Sequence, residues 1–334
     1  MTTTIRERIE AIENRNMSPF GTRSAETKGR KRFETLDDTR TCFRRDADRI
    51  IHSNTFQREK DKTQVIIGAF VNKCDHYRTR MTHSLEVAQV GRTIARALML
   101  NEDLIEAAAL GHDLGHTPFG HTGEKTLNTI FPFKFNHTEH SIRVVEELEK
   151  NGKGLNLCYE TLDAIRNHSG LSNNPKAITP EGQILPFADK IAYLTSDFHD
   201  AIDFGVIGEN DLPPELKEIF GSGKTKAMGI LVDAVIQGSL GLPNIKMESS
   251  IYNAMAEFRK WMFNNVYFSD PMEEQRVKAT AIVERLCEYY KKFPEDMYKS
   301  GAYRSGNTER DICDFVAGMT DKFAISTHKK LGLG

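Results

Sequence analysis

Residues 107–124 read AAALGHDLGHTPFGHTGE, eighteen residues with three His, one Asp, one Glu and four Gly. Acid–base and ligand groups crowd the point where a helical pattern gives way to a turn. Neighbours on a helix point about 100° apart, so His112 and Asp113 can grip one ion only from a helix end or a turn. Gly111, Gly115 and Pro118 supply such a break. An imidazole with a carboxylate suits a divalent cation of the magnesium, manganese, iron or zinc type. A lone His-Asp pair is common by chance, and a hydrogen-bonded core histidine is the ordinary alternative. Two further residues change the balance. His83 opens a helical pattern over 84–99, and Asp189 sits in the apolar run FADKIAYLTSD. A buried Asp needs an ion, a hydrogen bond or a charged partner. A His, a His-Asp pair and an Asp from three helices are what an ion inside a helical bundle requires. Separate buried hydrogen-bond networks are the competing reading.

Asp189, Tyr193 and Asp197 are spaced i, i+4, i+8 and share one helix face. Apolar Phe187, Ile191, Ala192 and Leu194 surround them, which favours the wall of a polar pocket over a solvated stripe. His116, His121 and His137 follow the His-Asp pair, and Arg80 lies one turn before His83. Imidazoles and a guanidinium around a divalent ion are the charge pattern a polyphosphate needs. Phosphate ester chemistry is therefore the leading inference.

The elements that must carry these residues are helical. SLEVAQVGRTIARALML places Leu85, Ala88, Gly91, Ile94, Ala95 and Leu98 on one stripe. FNHTEHSIRVVEELEKNG starts like a capping box, with Asn136 three residues before Glu139, and stops at Asn151-Gly152. Pro186 and Gly205 bracket another helix, and helical patterns cover about 225–238, 247–265, 270–291 and 309–327. TQVIIG, which is short, is the clearest strand-like run. No strand–helix alternation of a parallel α/β fold is present. The expectation is a single all-α domain over 1–334, with a core at about 40–205 and a C-terminal helical subregion at about 225–330.

Composition sets the outer limits. The chain has 334 residues, 39% hydrophobic and 28% charged, with net charge −2. That fits a globular protein with no global pull toward nucleic acid or anionic membrane. No apolar run reaches the roughly 18 residues of a membrane span, and the polar N-terminus is no secretory signal. Five scattered cysteines with no CxxC argue against a disulfide framework or a thiolate zinc site, so a reducing, cytoplasmic setting is expected. Before residue 65 there are 15 Lys and Arg against 11 Asp and Glu. A solvated helix face explains that excess, and it also admits single-stranded DNA.

The ordered set His83, His112-Asp113, Asp189 resembles the HD-domain phosphohydrolase superfamily. SNTFQREKDKTQV, HYRTRMTHSLEVAQVGRTIAR, GHDLGHTPFGHTGE, FNHTEHSIRVV and CDFVAGMTDKFAI resemble the deoxyguanosine triphosphate triphosphohydrolase family in particular, from about residue 15 to 327. The resemblance implies an HD-domain helical bundle with additional C-terminal helices. It also implies hydrolysis of dGTP, or of several deoxynucleoside triphosphates (dNTPs), to deoxynucleoside and inorganic triphosphate. By the same resemblance the metal ligands are His83, His112, Asp113 and Asp189. The catalytic histidine and its orienting acid are His121 and Glu124. Phosphate contacts fall on Arg80, His116, His137, Lys190 and Tyr193, the sugar 3′-hydroxyl on Gln64 and Asp197, and Val65 packs near sugar or base. Arg304 and Arg310 are the C-terminal arginines placed to reach the triphosphate. The implied cofactor is a divalent metal, magnesium or manganese, with iron, cobalt, nickel and zinc compatible. The implied partners are the dNTP substrate, copies of the chain in a hexamer or smaller even assembly, an allosteric nucleotide and single-stranded DNA. Where the family often has FRRL, this chain has FQRE at 56–59. Two alternatives stand beside this reading: another HD-type nucleotide phosphohydrolase, and a regulatory HD protein that binds nucleotide or single-stranded DNA without turnover.

Overall fold

The computed structural model describes residues 3–64, 78–208, 210–221 and 223–333, with the side chains of 270–272 excepted. Its helices are α1 (Ile5–Asn16), α2 (Cys42–Ile51), α3 (Asn54–Arg58), α4 (Arg80–Ala97), α5 (Glu102–Gly111), α6 (His121–Ile130), α7 (His137–Arg143), α8 (Glu149–Gly152) and α9 (Tyr159–Arg166). They continue with α10 (Pro180–Asp203), α11 (Pro214–Phe220), α12 (Lys224–Ser239), α13 (Ser249–Met262), α14 (Asp270–Lys292), α15 (Pro294–Lys299), α16 (Thr308–Ala317) and α17 (Asp321–Lys330). Among the described residues there is no strand, only the isolated bridges Arg30–Cys158 and Thr63–Thr79. The all-α expectation holds. Most of the strand-like TQVIIG, including Val65, lies outside the described residues.

The chain divides into two compact units. The first comprises Met1–His52, Ser84–His112 and Asn156–Phe268, and the second Ser53–His83, Asp113–Leu155 and Ser269–Gly334. Two of the crossings fall beside expected site residues, at His83/Ser84 and at His112/Asp113.

In the first unit α5 is the central helix. Leu104, Ile105, Ala107, Ala108, Ala109, Leu110 and Gly111 are all buried, because α2, α9 and α10 pack around it. Asn101 caps it, its side chain accepting from the Leu104 amide. Each fully buried Leu or Ile contributes about 1.5–3 kcal/mol. Helix α10 is fixed at its start by Thr179 as N-cap and Pro180 in the first turn, and it is buried over most of its length. Helix α4 departs from the expected pattern. It starts at Arg80, so His83 lies within its first turn, and Leu85 is exposed while Val87, Val90 and Ile94 are buried. The buried face is the one His83 shares.

In the second unit α14 packs on α6, α16 and α17. Phe119, Leu127, Phe131, Leu286, Met297, Val316 and Ala324 belong to its core. The single helix expected over 309–327 is two. Gly318 closes α16, and Thr320 caps α17 by accepting from the Phe323 amide. The break turns the buried Asp321 carboxylate onto Thr63 and Phe119. Helix α7 keeps its Asn136 cap, which accepts from the Thr138 and Glu139 amides. It runs into a π-turn at Val144–Leu148, and Lys150 and Asn151 then adopt positive φ.

Candidate active site

The turn at 111–124 has the glycines its path requires. A Cβ on Gly115 would lie 2.2 Å from the Ser141 amide nitrogen and 2.3 Å from the His137 carbonyl, so α7 can pack there only against glycine. Gly120 has φ +58°, and a Cβ on it would lie 2.9 Å from an Arg80 guanidinium nitrogen. Helix α6 then begins at His121.

Within the second unit these constraints bring four side chains together. His116, His121, Glu124 and His137 each offer one ligand-type atom within 4.8 Å of the others. Glu124 is the hub. Its Oε2 lies 3.0 Å from His121 Nδ1 and 3.0 Å from His137 Nδ1, and its Oε1 accepts from the His137 amide at 3.0 Å. His116 stacks on His137 with centroids 4.1 Å apart. Its Nε2 lies 3.3 Å from Asp113 Oδ1. The other Asp113 oxygen accepts from Arg80 at 2.6 Å, and both partners are buried. His121 is the exposed member, with 76% of its side chain accessible. Burial by itself pushes the Glu124 carboxyl up. The hydrogen bonds from His121 and His137 outweigh that and hold it well below the usual carboxylate range. Burial, and then the Arg80 guanidinium, hold the His116 imidazole well below its ordinary value. Gln64 Oε1 is buried, with no hydrogen-bond partner among the described residues.

Within the first unit α10 presents the expected wall. Asp189 accepts from Lys190 Nζ at 2.7 Å, and His112 Nε2 lies 4.0 Å from Asp189 Oδ1. His112 Nδ1 lies 2.6 Å from the Ala109 carbonyl. A carbonyl can only accept, so Nδ1 carries the proton and the ring's lone pair is on Nε2. No spacing or motif marks the residues that complete this wall. Arg259 Nε donates to the Tyr193 hydroxyl at 3.1 Å, and the Tyr267 hydroxyl donates to Asp197 Oδ2 at 2.9 Å. Tyr267 ends a π-turn, Phe263–Tyr267, that follows α13. Burial raises both phenols above their usual range, so both keep their protons. Nor does any spacing mark His168. It packs edge-on to His112 with centroids 5.0 Å apart, and its Nδ1 lies 2.7 Å from the Ile165 carbonyl.

The two C-terminal arginines each have an acidic partner within the second unit. Arg304 pairs with Glu295 at 2.9 Å and lies over the Tyr298 ring. Arg310 pairs with Asp314 at 3.0 Å and reaches His140 Nδ1 at 3.3 Å. No helix among the described residues is long and apolar enough to cross a membrane.

Comparison with known proteins gives the same segments a family. Residues 80–194 match the HD domain, and residues 245–330 match the phosphohydrolase-associated domain. A deoxyguanosinetriphosphate triphosphohydrolase-like protein from Caldanaerobacter subterraneus subsp. tengcongensis is 46% identical over 333 residues, 98% of this chain and 96% of the relative. One from Clostridium perfringens is 45% identical over 98% of this chain and 97% of the relative. One from Geobacter sulfurreducens is 35% identical over 97% of each. The crystal structure of a phosphohydrolase from Bacteroides thetaiotaomicron superposes with TM-score 0.54 at 19% identity, covering 84% of this chain and 67% of that one. At that identity the likeness is one of fold.

Proposed function

The chain belongs to the deoxyguanosinetriphosphate triphosphohydrolase-like family of HD-domain phosphohydrolases, and from that premise we propose that it hydrolyses deoxynucleoside triphosphates to deoxynucleoside and inorganic triphosphate. The observation that carries the reading is the convergence of His116, His121 and His137 on Glu124, with the buried Arg80–Asp113 pair behind them.

His83, His112, Asp113 and Asp189 are the residues that would hold a divalent cation. Two imidazoles and two carboxylates suit such an ion, and the His112 tautomer presents a lone pair, as a ligand must. When bound, the cation polarises a phosphate oxygen and helps activate water. The remaining chemistry belongs to side chains. Arg80, His116, His137 and Lys190 spread the negative charge that develops on the phosphates. Cleavage between the α-phosphorus and the 5′-oxygen releases a poor alkoxide, which needs a proton. His121 is the donor: Glu124 accepts its Nδ1–H, steadies the charged ring and leaves Nε2–H for the leaving oxygen. Its exposure puts that proton within reach of a substrate.

Deoxyribose is selected by closure around the sugar. Gln64 Oε1 is an acceptor for the 3′-hydroxyl, as is Asp197, and Tyr267 fixes the Asp197 carboxylate. A 2′-hydroxyl brought against that phenol would clash or lose its water without a partner, at a cost of roughly 1–3 kcal/mol.

The test is a product analysis. Each dNTP is incubated with the protein and manganese or magnesium, and phosphates are separated by ion chromatography. Intact triphosphate and deoxynucleoside are expected as first products. Phosphate or pyrophosphate appearing first would place the attack at another phosphorus and reject the mechanism.

A further inference from the structure

The loop between α5 and α6 carries His116 and leads into His121, and distant segments hold it alongside its own turn bonds. His116 N donates to the Asp113 carbonyl at 3.0 Å, and the Thr117 hydroxyl donates to the Gly120 carbonyl at 2.7 Å. Phe119 is left-handed, φ +61°, and it is not glycine. Such a residue costs about 1–3 kcal/mol and persists only where its surroundings over-determine it. Here those surroundings are two distant segments. The Phe119 amide donates to Asp321 Oδ1 at 2.9 Å. Asp321 Oδ2 accepts from the Thr63 amide at 3.0 Å and the Thr63 hydroxyl at 2.7 Å. Lys62 Nζ donates to the His116 carbonyl and, at 3.1 Å, to the Ala317 carbonyl. The Lys62 carbonyl in turn accepts from the Arg80 amide at 3.0 Å. Lys62, Thr63 and Asp321 are all almost fully buried.

We propose that Lys62 and Asp321 are positioning residues that clamp this loop at His116 and at Phe119 and so set the histidines for the hydrolysis proposed above, on which the inference rests. The motifs KTQV and AGMTD then act together as one device. Stability alone does not explain keeping a buried lysine and a buried carboxylate. Both lose hydration, and apolar residues of similar volume would generally hold a core as well. What the pair supplies is direction. A long amine stem reaches two carbonyls at once, and a carboxylate orients three donors from two segments. Misplacing a reacting group by about 1 Å can cost around 10²-fold in rate.

The test uses the full chain with Lys62→Met and Asp321→Asn, and Thr63→Val as a milder variant that keeps shape and backbone bond. For the first two, kcat should fall about 10²-fold, with KM and metal content within about threefold of wild type. Thr63→Val should lose roughly three- to tenfold in kcat on the same scale. Amide hydrogen exchange at residues 116–121 should accelerate in step with kcat, while α16 stays protected. Met297→Ala, a cavity in the same unit's core, should lower Tm and leave kcat unchanged. If kcat or loop exchange in these variants is unchanged while Tm falls as for Met297→Ala, the pair merely anchors the C-terminal segment and the proposal is overturned. Should Lys62→Met and Asp321→Asn fail to fold, Thr63→Val decides by the same two readouts. A wild-type protein that releases no triphosphate from any dNTP defeats the hydrolase reading instead, and loop exchange still decides the clamp.

Discussion

The two units supply polar groups in different ways. In the second, Glu124 collects His121 from three positions away and His137 from thirteen. In the first, the α10 wall is completed by Arg259 and Tyr267, 66 and 70 positions from the residues they touch. The first kind of constellation is written in short segments. A turn fixed by Gly115 and Gly120 and a helix start at His121 determine most of it. The second kind exists only once α13 and its π-turn have packed on α10. One region should therefore fail through its own side chains, and the other through its partners.

The largest effect should come from Asp189→Ala. If Asp189 is a ligand, metal content and turnover should fall together, turnover to background. Because both imidazole ligands must be neutral to bind, metal affinity of the wild type should also fall in acid. Metal content is read by elemental analysis after dialysis, and rate by triphosphate release. Full activity in a chelated, metal-free sample would sink the assignment.

Next is His121→Ala, within the locally built cluster. Metal and substrate binding should persist, while kcat falls about 10²–10⁴-fold, the usual worth of general acid–base catalysis. A loss confined to KM would make His121 a phosphate contact and not the acid. Glu124→Gln should follow it in kind and fall short of it in size, since the imidazole keeps a weaker acceptor.

Much of this was legible in the sequence because the chemistry and the turn signals share the same residues. The helix breaks, the His-Asp pair, the Asp189–Tyr193–Asp197 face and the all-α class follow from spacing and from glycine and proline placement. Arg259, Tyr267 and His168 were not legible. FRKWMFNNVYF reads as an aromatic-rich helix end, and a π-turn leaves no mark in a 3.6-residue periodicity. On α4 the expected stripe holds at Ala88, Gly91, Ile94 and Ala95, while Leu85 lies off the buried face that His83 joins. The pattern over 309–327 spans two helices, because Gly318 closes the first and the break lets Asp321 turn inward.

The non-local partners should give smaller, more selective effects. Tyr267→Ala should narrow the preference for dNTP over NTP by about tenfold, within the roughly 1–3 kcal/mol of an unmatched hydroxyl, with a modest change in kcat for dNTPs. Arg259→Ala should raise KM by a similar factor. Steady-state comparison of dGTP with GTP reads the first. An unchanged ratio would remove Tyr267 from the sugar wall.

A stability effect separates Lys62 from its surroundings. Burial, and then the neighbouring Arg58, pull its ammonium down to about 7 from 10.5. Between those values the unfolded chain binds the proton and the folded chain does not, so this group makes stability rise with pH across that window. Below about 7 both states carry the proton and the penalty for burying it is constant. The urea midpoint of wild type relative to Lys62→Met should therefore climb from pH 7 to pH 9.5. Parallel profiles would mean that the buried amine keeps its proton.

The smallest expected effect is at Arg304, and it tests whether the second unit's C-terminal arm reaches substrate at all. The family resemblance places Arg304 within reach of the triphosphate, but its side chain is 60% exposed and held by Glu295. It also lies 3.9 Å over the Tyr298 ring. An exposed ion pair contributes at most about 1 kcal/mol, less in salt, and an exposed cation–π contact about 0.5–1 kcal/mol. Neither bears on phosphate charge. Arg304→Ala should therefore lower Tm slightly and leave kcat and KM within about twofold, in contrast to Arg259→Ala. The decisive measurement is kcat/KM at low and high salt for both variants. A loss of tenfold or more at Arg304, deepening at low ionic strength, would show that this guanidinium leaves Glu295 for the triphosphate. The contrast between a locally built cluster and a wall completed from afar would then extend to the C-terminal arm.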